Sequence, residues 1–173
     1  MSLSSRFEHD LCKYLNDRVD SYSWRPQFHI GGPTRERIDV GGTPKRRGRN
    51  RGRQVLVEVE LRREDPVSNI LKVWTRELKG GYPKGLILIQ GFSRVYRSPK
   101  YSNRRIKGAV AIRFGKMLEG STKGKFSYVP IKIPYHPRAG SNEGNGARRN
   151  AAIWFGKKIA ARLRSCGVFL SPH

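Results

Sequence analysis

Glu58 and Glu60 stand two residues apart in Gln54-Val-Leu-Val-Glu-Val-Glu60, and Asp39 stands in the short segment Arg37-Ile-Asp-Val40. Successive residues of a strand point to opposite faces. Glu58 and Glu60 therefore project together from a segment whose other face is Val55, Val57, Val59 and Leu61. Like charges in adjacent same-face positions repel. On an exposed face the two glutamates would be solvated, or paired with an arginine such as Arg62. Inside a sheet they need partners, and a divalent cation is an efficient one. The apolar helix and strand patterns that follow directly need a sheet to pack on, which favours the interior reading. Glu8 is a fourth acid of interest: with Leu11, Cys12 and Leu15 it falls at i, i+3, i+4 and i+7 on the face of a first helix that should meet the sheet. The alternative is an ordinary first-turn acid favoured by the helix dipole.

Such a cluster suits phosphodiester hydrolysis, which needs a hydroxide-like nucleophile near neutral pH and neutralisation of charge on the phosphate. Mg2+ or Mn2+ held by oxygen ligands supplies both. The expected roles are Asp39 and Glu58 as metal ligands, Glu60 as a ligand or an orienter of the attacking water, and Glu8 as support for a second metal or its water shell. A hairpin is the simplest way to bring Asp39 beside Glu58. Other chemistries find little footing. No Ser/His/Asp or Cys/His pair stands out, no GxxxxGK[ST] loop is present, and Cys12 and Cys166 have no metal-ligand spacing. Both cysteines read as reduced, buried thiols.

The charge of the chain points to a polyanionic partner. Its 173 residues carry 36 Lys and Arg against 13 Asp and Glu, a formal charge of +23. Eleven of the acids lie between Glu8 and Glu77, leaving a nearly acid-free basic half. Nucleic acid, above all double-stranded DNA, is the expected partner. A membrane is not, because there is no apolar run near the length of a span and no apolar segment behind Met1. A soluble, cytoplasmic protein is expected. Gly42 to Arg53, with Lys45, Arg46, Arg47, Arg49, Arg51 and Arg53, joins the two acid-bearing segments and is expected to order beside the site on phosphate contact. Phe92 to Arg105 interleaves Tyr96 and Tyr101 with Arg94, Arg97, Lys100, Arg104 and Arg105, a pattern suited to phosphate contact, with the tyrosines either stacking or packing. A third cluster starts at Arg148 and Arg149.

The elements that would hold these residues form a mixed α/β pattern within one domain spanning 1–173: a core with the acidic motifs to residue 91, then a basic, core-completing part. Ser4 or Ser5 would cap a helix reaching about Asp17. Extended segments follow near Phe28 to Ile30 and Ile38 to Val40, and Val55 to Leu61 is the clearest strand. Asp65-Pro66 opens a helix with Val67, Ile70, Val73, Trp74 and Leu78 on one stripe, ending at Gly80-Gly81. Helical spacing puts Lys72 opposite that stripe. Gly85 to Gln90 reads as a strand buried on both faces. Ile106 to Leu118 reads as a helix, Phe126 to Ile133 as a strand and Ala147 to Arg164 as a closing helix, with a Gly- and Asn-rich loop from Pro137 to Gly146.

In this order the pattern resembles the PD-(D/E)xK, or restriction-endonuclease-like, nucleases. The corresponding positions are Glu8 on a helix, Asp39 on a strand, Val55-Leu-Val-Glu58-Val-Glu60 on the next, the helix opened by Asp65-Pro66, and Leu86 to Ile89. The resemblance covers roughly the first half of the chain. It implies a central mixed sheet flanked by helices, Mg2+-dependent endonuclease activity, and a homodimer with one site per strand. Two positions depart from the family: Ile38 replaces the usual Pro, and Glu60 stands where the family usually has Lys. A frame ending at Arg62 would restore a basic third position, as would a lysine moved to the following helix, Lys72. The alternative is a basic DNA- or RNA-binding protein without chemistry, including a decayed nuclease.

Overall fold

Ser2, ahead of both expected caps Ser4 and Ser5, starts the first helix: its hydroxyl accepts from the Ser5 N–H, and α1 runs Leu3–Arg18. The Ser4 hydroxyl instead donates to Glu8 Oε1 at 2.8 Å. The computed structural model describes residues 2–30, 36–45, 52–62, 65–78, 85–137 and 145–165. Five strands, β1 (Tyr22–His29), β2 (Arg37–Pro44), β3 (Gln54–Glu60), β4 (Leu86–Phe92) and β5 (Phe126–Lys132), form one sheet in the order β1-β2-β3-β4-β5. β2 is antiparallel to both of its neighbours, β1 and β3, and the last three strands are parallel, so the sheet is mixed. The parallel pairs need crossovers. These are α2 (Pro66–Leu78) between β3 and β4, and α3 (Ser102–Ser121) between β4 and β5. A last helix, α4 (Asn145–Ser165), closes the chain.

The alternating face of β3 sorts the layers. Val55, Val57 and Val59 join Phe7, Leu11 and Leu15 of α1 and Ala152, Phe155 and Ile159 of α4 in one core cluster. Leu56 joins Ile70 and Val73 of α2 and Ala111 and Leu118 of α3 in the other. Helices thus cover both faces, and every residue of β4 is buried, as its continuous apolar run requires. Asp65 caps α2 as expected, its carboxylate accepting from the Val67 and Ser68 N–H groups.

β1 and β2 are longer than the sequence suggests. Tyr22 and Trp24 are buried in β1, but exposed Arg25, Pro26 and Gln27 hide the pattern; the edge position of β1 tolerates Pro26. In β2 the pair Gly41-Gly42 looks like a turn. It is strand, and a Cβ at Gly41 would lie 2.1 Å from the Phe28 ring and one at Gly42 2.6 Å from the Trp24 ring. The aromatics of the edge strand lie over these glycines.

Candidate active site

Two residues apart on a strand should share a face, yet Ile38 packs in the α2/α3 cluster and Val40 in the α1/α4 cluster. The alternation of β2 therefore breaks at Asp39. In β1 it breaks at the opposite position: the pairs Pro26–Val40 and Phe28–Ile38 flank Gln27 and Asp39, and Gln27 has a positive φ of 49°. The β2–β3 ladder also stops at Val40–Val57. Beyond it, the Val59 N–H donates to Asp39 Oδ2 at 2.7 Å. The hairpin expected from the sequence forms, and its two strands part at the acids.

Glu58 is fully buried and Asp39 nearly so. Burial first, then the charge of Asp39, pushes the Glu58 carboxyl well above the ordinary carboxylate range; Lys72 pulls against them, and Glu60 adds a smaller upward push. The Lys72 Nζ lies 2.7 Å from Glu58 Oε1 and donates to the Arg37 carbonyl at 2.7 Å, bridging β2 and β3 where they separate. The expected outward direction of Lys72 is corrected here. Among the described side chains of α2 the buried ones are Pro66, Asn69, Ile70 and Val73. Its sheet-facing side is thus centred nearer Asn69 than the apolar residues alone suggest. Lys72, three residues beyond Asn69, lies at the margin of that side, and its long stem reaches in.

Glu60 shares the Glu58 face but has different company. Its Oε1 accepts from Asn69 Nδ2 and from Gln90 Nε2, both at 2.8 Å. The same Gln90 nitrogen donates to the Pro66 carbonyl at 2.9 Å, and Gln90 Oε1 accepts from the Tyr128 hydroxyl at 2.6 Å. Burial and the charge of Glu60 push the Tyr128 hydroxyl pKa upward, which keeps it a donor. This network under α2 holds one oxygen of Glu60 in place on the face it shares with Glu58. Asn69, Gln90 and Tyr128 were not singled out from the sequence. The available signals were a buried Asn on an apolar helix and one Gln in an apolar strand. Glu8, also buried, accepts from Ser4 and from Gln27 Nε2, so it reaches the Asp39 position through Gln27. Arg62, at the end of β3, donates through Nε to the Pro137 carbonyl at 2.9 Å.

Among the described residues no three His, Cys, Asp or Glu side chains converge as a metal-ligating group. The pair that does converge, Asp39 and Glu58, offers hard oxygen donors. Mg2+ is characteristically bound by one or two carboxylates and completes its shell with water and substrate phosphate, so this donor set fits it better than it fits an ion needing an all-protein cage.

The basic residues divide into three groups. Arg46, Arg47, Arg49 and Arg51 lie outside the described residues, as do Gly80, Gly81 and Cys166. Their loop is anchored at Lys45 and Gly52, at the end of β3 away from the acids; six residues of strand put Gly52 about 20 Å from Glu58. Antiparallel β2 and β3 bring Asp39 to Glu58 at one end and the loop anchors together at the other, and the expected ordering of the loop beside the site falls on residues outside those described. Two arginines serve the fold. Arg53 donates to the Leu86 and Lys125 carbonyls at 2.7 and 3.2 Å, and Arg148, buried on α4, pairs with Asp10 on α1 at 3.1 Å. Lys45, Arg94, Arg97, Arg105 and Arg149 are exposed, and Arg104 is half-buried. Arg94 and Arg97 form a single-turn 3-10 helix, Arg94–Arg97, directly after β4. The Ser93 N–H just before it donates to the Glu60 carbonyl at 3.1 Å, so this segment leaves the sheet at the acid-bearing end.

No described helix is long and apolar enough to cross a membrane. Compared with protein-family models, curated proteins and solved structures, the chain matches none.

Proposed function

We propose that the chain is a Mg2+-dependent endonuclease hydrolysing phosphodiester bonds of DNA, built on a restriction-endonuclease-like core. The observation that carries this reading is the meeting of buried Asp39 and Glu58 with Lys72 at the point where β2 and β3 part. Two carboxyls side by side in a dry sheet, one with its proton affinity raised first by burial and then by the other, oppose folding, and such placements are typical of functional sites. Asp39 and Glu58 would hold Mg2+ or Mn2+, which supplies charge neutralisation at the phosphate and a more acidic water. Lys72, arriving from α2, restores the basic group that Glu60 displaces from the usual motif position. Its ammonium neutralises Glu58 without metal and is placed to pair with a phosphate oxygen once Glu58 is engaged. Glu60, locked by Asn69 and Gln90, fixes α2 over β3 and so positions Lys72. Cutting both strands of a duplex would take two copies of the chain, one site per strand, which light scattering of the protein on DNA would reveal.

The second reading, a basic nucleic-acid-binding protein without turnover, is favoured by one observation: one carboxylate oxygen of Glu60, the acid at the family's lysine position, is engaged by Asn69 of α2 and Gln90 of β4. Plasmid DNA with Mg2+ or Mn2+ separates the two. The nuclease reading expects cleavage that EDTA stops and that Asp39→Ala and Glu58→Ala abolish. It also expects Mg2+ to stabilise wild type but not Glu58→Ala, by about 2.7 kcal/mol at a hundredfold excess over Kd, seen as a higher melting temperature. Equal behaviour of wild type and Glu58→Ala in both assays would remove the assigned site.

A further inference from the structure

At the acid-bearing end of the sheet, the chain leaving β4 passes through a second short 3-10 helix, Pro99–Tyr101, into α3. There Lys100, Tyr101, Ser102, Asn103, Arg104 and Lys107 line a half-open concavity of about 330 Å³. Its size is at the small end of the range for bound ligands of nucleotide dimensions. Three of the six residues are cationic and none is acidic. The aromatic component is also built. The Tyr101 ring is half-buried, tilted against His136 with centroids 6.2 Å apart, and Arg104 sits 5.7 Å from its centroid. The segment carrying His136 is held in place from two sides: the Arg94 N–H donates to the Tyr135 carbonyl at 2.8 Å, and Arg62 donates to Pro137. The platform is therefore tied to the ends of β3 and β4, the strands bearing Glu58, Glu60 and Gln90.

We propose that this concavity seats one unpaired nucleotide of a nucleic-acid strand, its phosphate among Lys100, Arg104 and Lys107 and its base against the Tyr101 ring and the Arg104 guanidinium. Cations alone would bind any duplex backbone. A cation cluster around an accessible ring, in a recess rather than on a flat face, selects a base that is out of its helix, since every base has a π-face to stack. This inference rests on the nucleic-acid part of the function proposed above and not on cleavage.

The test is fluorescence anisotropy in EDTA, with a labelled single-stranded DNA, the same sequence as RNA, and its duplex. Tyr101→Ala should weaken single-strand binding about tenfold, while Tyr101→Phe stays near wild type and the duplex changes far less. Changing Lys100, Arg104 and Lys107 together to Ala should lower the slope of log K against log salt by about 2 on a single strand. The charge-matched set Lys157→Ala, Arg162→Ala and Arg164→Ala on exposed α4 positions should lower it less. Single-strand binding unchanged in Tyr101→Ala, or an equal loss on duplex, overturns the proposal; the Tyr101→Phe result separates loss of stacking from loss of fold. A wild type that binds in this pattern but does not cut with Mg2+ leaves the seat standing and removes the nuclease reading.

Discussion

Lys72 Nζ lies 2.7 Å from Glu58 Oε1, an ion pair between the margin of α2 and the centre of β3 in which the acid is buried and the lysine 18% exposed. Removing the lysine leaves Glu58 beside Asp39 without its cation. Lys72→Met keeps the stem and deletes the charge, and is expected to destabilise the fold by about 1–3 kcal/mol at pH 7.5, less than for a fully buried pair because Lys72 is at the edge. Protonating Glu58 removes the charge that Lys72 offsets, so the loss should shrink at pH 5.5. Urea titrations at the two pH values measure it, and an equal loss at both would mean that the lysine acts through packing alone.

Glu58 itself is expected to oppose folding at neutral pH. Its carboxyl is shifted upward in the folded state, first by burial and then by Asp39. A group whose folded pKa exceeds its unfolded value contributes stability that is fully present below the unfolded pKa and is lost as pH rises through the folded one. Glu58→Gln has no such loss, and the lysine it strands can reach water and keeps the Arg37 carbonyl. The variant should be more stable than wild type at pH 8, with the gap closing as pH falls toward the ordinary carboxylate range. A gap that is constant with pH would sink the assignment.

How much of this was legible in sequence depended on whether the signal was local. Asp65-Pro66 marks its helix start, Val55 to Leu61 alternates, and Leu86 to Ile89 is apolar throughout, so β3, α2 and β4 follow from periodicity and caps. The pairing of Asp39 with Glu58 follows from the simplest connection. Helical spacing turns Lys72 away from the apolar stripe, whereas α2 meets the sheet partly through Asn69, which brings the lysine to the margin of the buried side. The partners of Glu60 come from 9 and 30 residues away, and Tyr128 reaches Gln90 across 38, distances at which no local pattern speaks. Gly41 and Gly42 hid half of β2 because their reason for being glycine, the rings of Phe28 and Trp24, lies on another strand.

The polar network under α2 should behave as a unit. Tyr128→Phe removes the donor to Gln90 Oε1 and leaves a buried acceptor without that bond, an expected cost of about 1–3 kcal/mol. Gln90→Leu removes two donated bonds at once, one of them to Glu60. The double variant should cost less than the sum of the two, because the Tyr128 bond is already lost with Gln90. Thermal melts of the four proteins at one pH give the coupling, and strict additivity would mean that the hydrogen bonds contribute independently.

Neighbouring Arg148 and Arg149 test whether the basic surface has been sorted correctly. Arg148 is buried, and its Nε and Nη2 both reach Asp10 Oδ2 at 3.1 Å, joining α4 to α1 across the cluster that covers one face of the sheet. Arg149 points from the same turn of α4 but is exposed. Both carry one positive charge, so a nucleic acid sensing only total charge would register the two alike. The geometry separates them. Arg148→Ala leaves Asp10 without its cation in a partly buried position and should cost about 1–2 kcal/mol of stability, with little change in the salt dependence of DNA binding. Arg149→Ala should leave stability within about 0.5 kcal/mol and, if its exposed face meets the backbone, reduce the salt slope by about 1. Denaturant midpoints and salt-dependent anisotropy on the same two variants decide it. A fall in slope for Arg148→Ala without loss of stability would return that arginine to the interface and break the link between α1 and α4 as an account of its burial.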